Sequence, residues 1–228
     1  DIDQSQAVMV VVRDGAPLTD GSRQGLSLFV VPTDTPGISM TRIDSALRTS
    51  EKQFSVFFDN VEVGGDALVG EPGAGLKQVF AGLNPERIAA AAINNGISRF
   101  AIVKAAQYAR DRSVWKSPIG AHQGIAHPLS EAYINVQAAR LLNARAAQLC
   151  DSGEDAAEAA NMAKFAAAES SLKALDQAIQ VHGGNGLSNE YGLSDLWFIT
   201  RLHRTAPVSR EMILNYISTH SLGLPKSY

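Results

Sequence analysis

The stretch Asp176-Gln-Ala-Ile-Gln-Val-His-Gly-Gly-Asn-Gly-Leu-Ser-Asn-Glu-Tyr191 decides the fold, because a long alanine-rich helical pattern stops in it at a pair of glycines. Gly183 and Gly184 can take a positive φ at little steric cost, and without a Cβ they let a backbone or a flat ligand come close. A plain helix C-cap followed by a turn also explains these residues, and that interpretation stays open. The stretch therefore predicts a helix end that could also form one wall of a ligand site.

The composition is that of a folded globular protein, since 45% of the 228 residues are hydrophobic and 19% are charged. The net charge of −3 provides no basic surface, so we expect no nucleic-acid partner. No apolar run reaches the length of a membrane span. The single cysteine, Cys150, permits no internal disulfide and favours a reducing, cytoplasmic compartment. The sequence starts at Asp1 and runs almost at once into strand-like residues, so we expect a further N-terminal portion.

The first part of the chain, up to about residue 63, has the pattern of short β-strands. Apolar or alternating runs predict strands over 7–12, 26–31, 38–43 and 53–58. Turn residues separate these runs at Asp14-Gly15, Asp20-Gly21, Pro32 and Pro36-Gly37. The intervals leave no room for crossover helices, so antiparallel pairing is predicted. A glycine-rich loop at 59–75 then indicates a boundary between a β-domain part, residues 1–75, and a helical domain, residues 76–228.

The rest of the chain is predicted to be helical. Asn84-Pro85-Glu86 is a helix start signal, with Asn84 as the cap and Pro85 in the first turn, and this helix is predicted to end near Arg112. Further helices are predicted over about 123–150, 154–181, 193–203 and 208–222. Three long helices and a shorter one with tight connections predict an antiparallel four-helix bundle. The fold class is therefore α+β, with part of an antiparallel β-domain followed by this bundle.

Candidate polar residues concentrate near the predicted helix ends rather than in metal-ligand spacings. The five histidines match no recognised metal pattern, so no metal is expected. The polar and aromatic residues near helix ends are Arg112, Trp115, His122, Gln123, Gln180 and His182. An antiparallel bundle places the helix end at 112 beside the helix start at 123, whereas we expect the end at 182 to reach them only across a subunit contact. The alternative, in which Arg112 is solvated and Trp115 plugs the core, stays open.

Several spaced motifs together resemble the acyl-CoA dehydrogenase family over nearly the whole chain. They are Pro85-Glu86-Arg87-Ile88, Tyr108-Ala-Arg-Asp-Arg-Ser-Val-Trp115, Pro118-Ile119, His122-Gln123, Ala138-Ala-Arg140, Ala163-Lys164 and Gln180-Val181-His182-Gly183-Gly184-Asn185-Gly186. The resemblance places residues 1 to about 63 in the second half of the family's central β-domain, and residues from about 76 in its C-terminal four-helix domain. It implies FAD as cofactor, oxidation of an acyl-CoA thioester to the 2,3-enoyl-CoA, an electron-accepting flavoprotein, and a homodimer or homotetramer.

The resemblance also implies which residues contact the cofactor. Arg112 would touch an FAD phosphate, and His122 with Gln123 would lie at the flavin side. The strip from Gln180 to Gly184 would line the adenosine end from another subunit. The complete implied set is Arg112, Ser113, Val114, Trp115, His122, Gln123, Gln180, Val181, His182, Gly183 and Gly184. Val114 replaces a residue that usually carries a hydroxyl, so one hydrogen bond to the cofactor is expected to be missing.

The position of the catalytic base departs from many members of the family. In the run Thr205-Ala-Pro-Val-Ser209, Pro207 stands where they carry a glutamate, and proline has no N–H to offer a thioester carbonyl. Other members carry the base at the start of the long helix, so Glu86 is predicted to be the base, with Asn84 and Arg87 as substrate-binding neighbours. Two alternatives stay open: a non-catalytic subunit of a hetero-oligomer, and a related flavin oxidase or monooxygenase.

Overall fold

The computed structural model describes residues 1–15 and 25–226, so the predicted turn at Asp20-Gly21 lies outside the described residues. The chain divides into two compact units, Asp1–Gly82 and Leu83–Tyr228, and the division falls inside a helix. The domain boundary expected in the glycine-rich loop stays a prediction for the whole protein.

The first unit contains two antiparallel hairpins. Strand β1 (Ala7–Arg13) pairs with β2 (Leu26–Pro32), and β3 (Ile38–Ile43) pairs with β4 (Gln53–Phe58). The four predicted strands and their antiparallel pairing are therefore confirmed. Along β1, exposed and half-buried residues alternate, as expected for a strand with one covered face.

Helix α1 begins earlier than the sequence predicts. It spans Gly75–Asp111, so Asn84 is not a helix cap and Pro85 lies inside the helix. A proline at this position removes the hydrogen bond to the carbonyl four residues earlier, which belongs to Ala81. Ala81 and Pro85 are both exposed. Water can therefore satisfy the carbonyl, and the helix continues through the proline.

The second unit is built on three long helices: the part of α1 after residue 82, α2 (Gln123–Asp151) and α3 (Ala157–His182). One cluster of their buried side chains consists of Ala91, Ala139, Ala146, Ala163 and Ala167. This cluster joins the first half of α1 to the second half of α2 and the first half of α3, so α2 runs antiparallel to the other two. Alanine on the facing surfaces lets the three helices pack closely.

The later helices differ from the prediction mainly in length. Helix α3 starts at Ala157 rather than near Glu154, and the Asp155 carboxylate accepts the Ala157 N–H at 2.9 Å. Helix α4 (Trp197–Leu202) lies where a short helix was expected. The last predicted helix is divided into two pieces, α5 (Arg210–Tyr216) and a π-helical turn (Ile217–Ser221).

The α+β class, with antiparallel strands followed by a helical domain, is confirmed by these elements. Among residues 1–15 and 25–226, no helix is both long and apolar enough to cross a membrane. In the same described part of the chain, no three His, Cys, Asp or Glu side chains are grouped so that they could hold a metal ion.

Candidate functional site

The C-terminal ends of α1 and α3 lie side by side in one chain. The Tyr108 and His182 rings stack with their centroids 4.3 Å apart, and Asn185 Nδ2 donates to the Tyr108 hydroxyl at 3.1 Å. A 2.7 Å hydrogen bond between His182 Nδ1 and the Ala178 carbonyl holds the imidazole in place. The expectation that the helix end at 182 reaches the end at 112 only across a subunit contact is therefore wrong. Helices α1 and α3 run in the same direction, so their last turns share one end of the bundle.

A surface cleft of about 510 Å³ lies at this shared end. It is lined by Tyr108, Arg112, Ile119, Gln180, Val181, His182, Gly183, Gly184 and Asn185. A Cβ added to Gly183 or Gly184 would meet no atom within 4 Å, so the glycine pair presents bare backbone to open space. Gly186 has a different role, because a Cβ there would lie 2.5 Å from the Ile179 carbonyl oxygen. The glycine-rich stretch thus combines an open wall with one close-packed position.

The backbone around Arg112 is held at both sides. Its N–H donates to the Tyr108 carbonyl at 2.9 Å, and its carbonyl accepts the Ile119 N–H at 2.8 Å. The Arg112 side chain is exposed and lines the cleft. A guanidinium on such a well-supported backbone can form paired, charge-assisted hydrogen bonds with a phosphate. Sequence reasoning overlooked Tyr108, Ile119 and Asn185 as lining residues, although Tyr108 lies one helical turn before Arg112.

A small hairpin connects α1 to α2 and carries the other predicted cofactor residues. Strand β5 (Ser113–Val114) pairs with β6 (Ser117–Pro118), and the turn residues Trp115 and Lys116 have φ of 48° and 72°. Positive φ at both positions is what a type I′ turn requires. Trp115 is 88% exposed, so the interpretation of Trp115 as a core plug is wrong for this chain. Its ring meets the His122 ring edge-on, with centroids 6.0 Å apart.

His122 lies immediately before α2, and Gln123 is the first residue of that helix. The Nε2 atom of His122 is buried and has no hydrogen-bond partner among the described residues. Buried ring nitrogens are normally paired, so this atom is available to a bound polar group. Gln123 is exposed at the same end of the bundle. These two residues and the hairpin do not line the cleft, but they lie at the helix ends that adjoin it.

The second group of predicted residues lies on α1. Glu86 is exposed, whereas the next residue, Arg87, has only 2% of its surface exposed. Arg87 Nη1 donates to Asn84 Oδ1 at 2.6 Å. Burial lowers the pKa of Arg87 from its ordinary value, and the neighbouring Tyr216 and Glu86 oppose that effect. Because an arginine stays protonated in proteins, a buried positive charge lies next to Glu86 along the chain.

Two further buried side chains belong to this group and were missed from the sequence. Lys164 on α3 is fully buried, and its Nζ donates to the Val208 carbonyl at 2.5 Å. Burial, followed by the charge of Arg87, lowers the pKa of Lys164 to about 8. His203 is also buried, and burial together with the charge of Lys164 lowers its pKa. The available signal was the spacing of Lys164 with the inward-facing alanines of α3.

The lowered pKa of Lys164 predicts a stability that increases with pH. Burial penalises the protonated amine in the folded state, so between about pH 8 and 10.5 the unfolded chain binds more protons than the folded one. The charges that act on Lys164 are Arg87, which lowers its pKa, and Glu169 and Glu211, which raise it. Relative to the Lys164→Met variant, the parent's free energy of unfolding should increase by roughly 2–4 kcal/mol across this interval.

Urea unfolding of the whole protein, followed by helical circular dichroism at several pH values, measures this gain. Other lysines and tyrosines titrate in both proteins and cancel in the difference. Loss of the hydrogen bond to Val208 lowers the variant's free energy of unfolding by a nearly constant amount at every pH. Only the slopes of the free energy of unfolding against pH are therefore compared. Parallel curves for parent and variant would show that burial does not perturb Lys164.

Comparison with known proteins shows to which protein family the chain belongs. The family model described as acyl-CoA dehydrogenase, C-terminal domain, matches residues 73–222, and the chain belongs to this family. Acyl-CoA dehydrogenase FadE12 of Mycobacterium tuberculosis is 54% identical to the chain, over 100% of the chain and 58% of that protein. Glutaryl-CoA dehydrogenase of Desulfococcus multivorans is 34% identical, over 91% of the chain and 54% of that protein.

A solved structure of a glutaryl-coenzyme A dehydrogenase in complex with glutaryl-CoA has the same fold. Its TM-score is 0.87 at 28% sequence identity, covering 99% of this chain and 57% of that one. The family resemblance seen in the sequence is therefore confirmed. The chain spans about half the length of the relatives it matches, from 41% to 58%.

Proposed function

We propose that the whole protein is an FAD-dependent acyl-CoA dehydrogenase that converts an acyl-CoA thioester to the 2,3-enoyl-CoA. The observation that carries this proposal is an exposed carboxylate, Glu86, next to the buried guanidinium of Arg87 in a chain of this family. A base must be reachable by the proton it removes before its acidity matters. The exposure of Glu86 supports its choice as the base.

The residues at the shared end of α1 and α3 fit FAD. Arg112 offers an exposed guanidinium for a phosphate, and Gly183 and Gly184 offer bare backbone. His122 offers a buried nitrogen that has no hydrogen-bond partner in the described part of the chain. The residues that would hold the cofactor are Arg112, Ser113, Val114, Trp115, His122, Gln123, Gln180, Val181, His182, Gly183 and Gly184. When bound, FAD accepts the two electrons and the β-hydrogen that leave the acyl chain.

In this proposal, the carboxylate of Glu86 accepts the proton from the α-carbon of the thioester. Asn84 and Arg87 support this step from the same turn of α1, since their side chains are bonded to each other at 2.6 Å. Arg87 is too deeply buried to reach far into a substrate site, so it supports the position of Glu86 and the local positive potential. Asn84 is half-buried and therefore more accessible to a substrate than Arg87 is.

The proposed assembly is a homodimer or homotetramer that passes electrons to a separate electron-accepting flavoprotein. Large apolar side chains stay exposed on two long helices: Val103 at 62% on α1, and Ile134 at 64% and Leu141 at 73% on α2. Exposed apolar surface of this kind favours association with another chain. Light scattering of the whole protein at micromolar concentration should therefore give a dimer or a larger species. A monomeric mass would contradict this expectation.

A second candidate function is a non-catalytic subunit that pairs with an active partner of the same fold. The observation that favours it is Pro207, which has neither a carboxylate nor an N–H at a position where many relatives carry a glutamate. In that case Glu86 would be an exposed surface carboxylate beside Arg87 rather than a base.

A turnover assay of the whole protein separates the two functions. Acyl-CoA thioesters of different chain length are supplied with an electron acceptor, and the 2,3-enoyl-CoA product is identified by mass. Product formation supports the dehydrogenase. An FAD-loaded homo-oligomer that forms no product from any of the thioesters favours the non-catalytic subunit, and oxygen consumption in place of acceptor reduction favours an oxidase.

A further inference from the structure

The segment from Arg204 to Arg210 is attached to α3 at several points. The Oε1 atom of Glu169 accepts hydrogen bonds from Arg204 Nε at 2.7 Å and from Arg210 Nε at 3.1 Å. The Arg210 guanidinium also lies over the Phe165 ring, 5.3 Å from its centroid. One carboxylate of α3 thus joins the two ends of the segment.

Two contacts complete this attachment. The Arg210 N–H donates to the Arg204 carbonyl at 2.8 Å, which closes the segment into a loop. Lys164 Nζ donates to the Val208 carbonyl in the middle of the loop at 2.5 Å. Lys164 and Glu169 are about one and a half turns apart on α3. Lys164 holds the middle of the loop, and Glu169 holds its two ends. Pro207 lies between the points that they hold.

The part of α3 around Lys164 also adjoins the turn of α1 that carries Glu86. Ile88 and Ala91 of α1 pack in one cluster with Ala163 and Ala167 of α3. The charge of Arg87 also lowers the pKa of Lys164. Arg87 in turn is bonded to Asn84, in the turn of α1 that carries Glu86. The loop and the turn with the proposed base therefore both pack against the same part of α3.

We propose that Lys164 and Glu169 are positioning residues that hold the 204–210 loop against α3, and with it the wall of the acyl-CoA site next to the Glu86 turn. This inference rests on the proposed function. Neither residue is required to touch the substrate. Burying a lysine is costly when its ammonium group has one carbonyl as its hydrogen-bond partner among the described residues. A partly exposed carboxylate shared by two arginines gives little stability by itself. Both observations favour a role in geometry over one in stability.

The test combines a structural readout with a kinetic one in the whole protein. Lys164→Met and Glu169→Ala remove the contacts, whereas Glu169→Gln keeps an oxygen that can still accept from both arginines. Matched controls are Lys173→Met and Glu158→Gln, which alter exposed side chains of the same helix. Circular dichroism and flavin content show whether each variant is folded and loaded.

Hydrogen exchange is measured at Thr205, Ala206 and Arg210, whose N–H groups are all bonded within the segment from Leu202 to Arg210. We expect exchange there to accelerate about tenfold or more in Lys164→Met and Glu169→Ala, less in Glu169→Gln, and not in the controls. In the same variants, kcat for acyl-CoA oxidation should fall about 10- to 100-fold with a smaller change in KM, because a misplaced wall disturbs the reacting geometry more than binding.

Unchanged exchange in Lys164→Met and Glu169→Ala would overturn the attachment itself. Faster exchange with unchanged kcat would show that the contacts only stabilise the fold, and would overturn the positioning role. A parent protein without acyl-CoA turnover would overturn the proposed function and the positioning role with it. Even then, the exchange rates decide whether Lys164 and Glu169 hold the loop, so the two failures are distinguishable.

Discussion

The Glu86→Gln variant of the whole protein should be reduced by acyl-CoA about 10²–10⁴-fold more slowly than the parent. Glutamine has nearly the same volume as glutamate and keeps its hydrogen-bonding capacity, but the neutral amide cannot accept the α-proton. Substrate binding should therefore be largely kept while the chemical step slows. Rapid anaerobic mixing, followed by the loss of oxidised-flavin absorbance, measures the rate of this step directly.

The matched control is Glu131→Gln, which changes an exposed glutamate on α2 in the same way. It should leave the rate of flavin reduction at the parent value. If the flavin of the Glu86→Gln variant is also reduced at the parent rate, the base lies elsewhere in the protein. Equal losses in both variants would point to a general effect of charge on the helical domain.

The second large effect is expected for Arg112→Ala, which should weaken FAD binding about 10- to 100-fold. The side chain lines the cleft at the shared end of α1 and α3, and its backbone is held by Tyr108 and Ile119. Removing the guanidinium deletes a charge-assisted contact with a phosphate but leaves the supporting backbone in place. The flavin content of the purified variant, and its dissociation constant for FAD by fluorescence titration, measure the loss.

Arg110→Ala is the control for this experiment. Arg110 is an exposed arginine in the last turn of the same helix, and its Nη2 is bonded to Gln107 rather than directed to the cleft. It should retain FAD as the parent does. An Arg112→Ala variant with parental flavin content would place Arg112 on an ordinary solvated surface.

The β-strands could be predicted from the sequence almost residue by residue. Their apolar runs are short, alternate with turn residues such as Asp14-Gly15 and Pro36-Gly37, and leave no space for crossover helices. The limits of α2 were equally clear, because Ser152 and Gly153 stop an apolar helical pattern. In these segments local propensity and tertiary packing favour the same structure.

The prediction was wrong where a local signal competed with packing or exposure. Asn84-Pro85 has the chemistry of a helix start, but Ala81 and Pro85 are exposed, so water can satisfy the Ala81 carbonyl and α1 runs through the proline. The alternative that placed Trp115 in the core failed because the residue lies exposed in a tight turn with positive φ. Neither outcome is visible in residue spacing, since both depend on which atoms solvent can reach.

The candidate site was predicted in part. The motifs indicated Arg112 and the glycine stretch, and the structure brings them to one cleft within a single chain. The buried pair of Lys164 and His203 was missed, because a lone lysine in an alanine-rich helix is ordinarily assigned to the solvent side. Its spacing with the inward-facing alanines of α3 was a weak signal, and the packing of α3 against the loop that follows α4 shows that this lysine faces inward.

Anaerobic titration of the FAD-loaded whole protein with acyl-CoA thioesters tests the central claim most directly. If the protein is an acyl-CoA dehydrogenase with Glu86 as its base, at least one thioester should bleach the flavin and yield about one 2,3-enoyl-CoA for each FAD reduced. The Glu86→Gln variant should reach the same end point far more slowly. A protein that retains FAD but is reduced by none of the thioesters would contradict the claim.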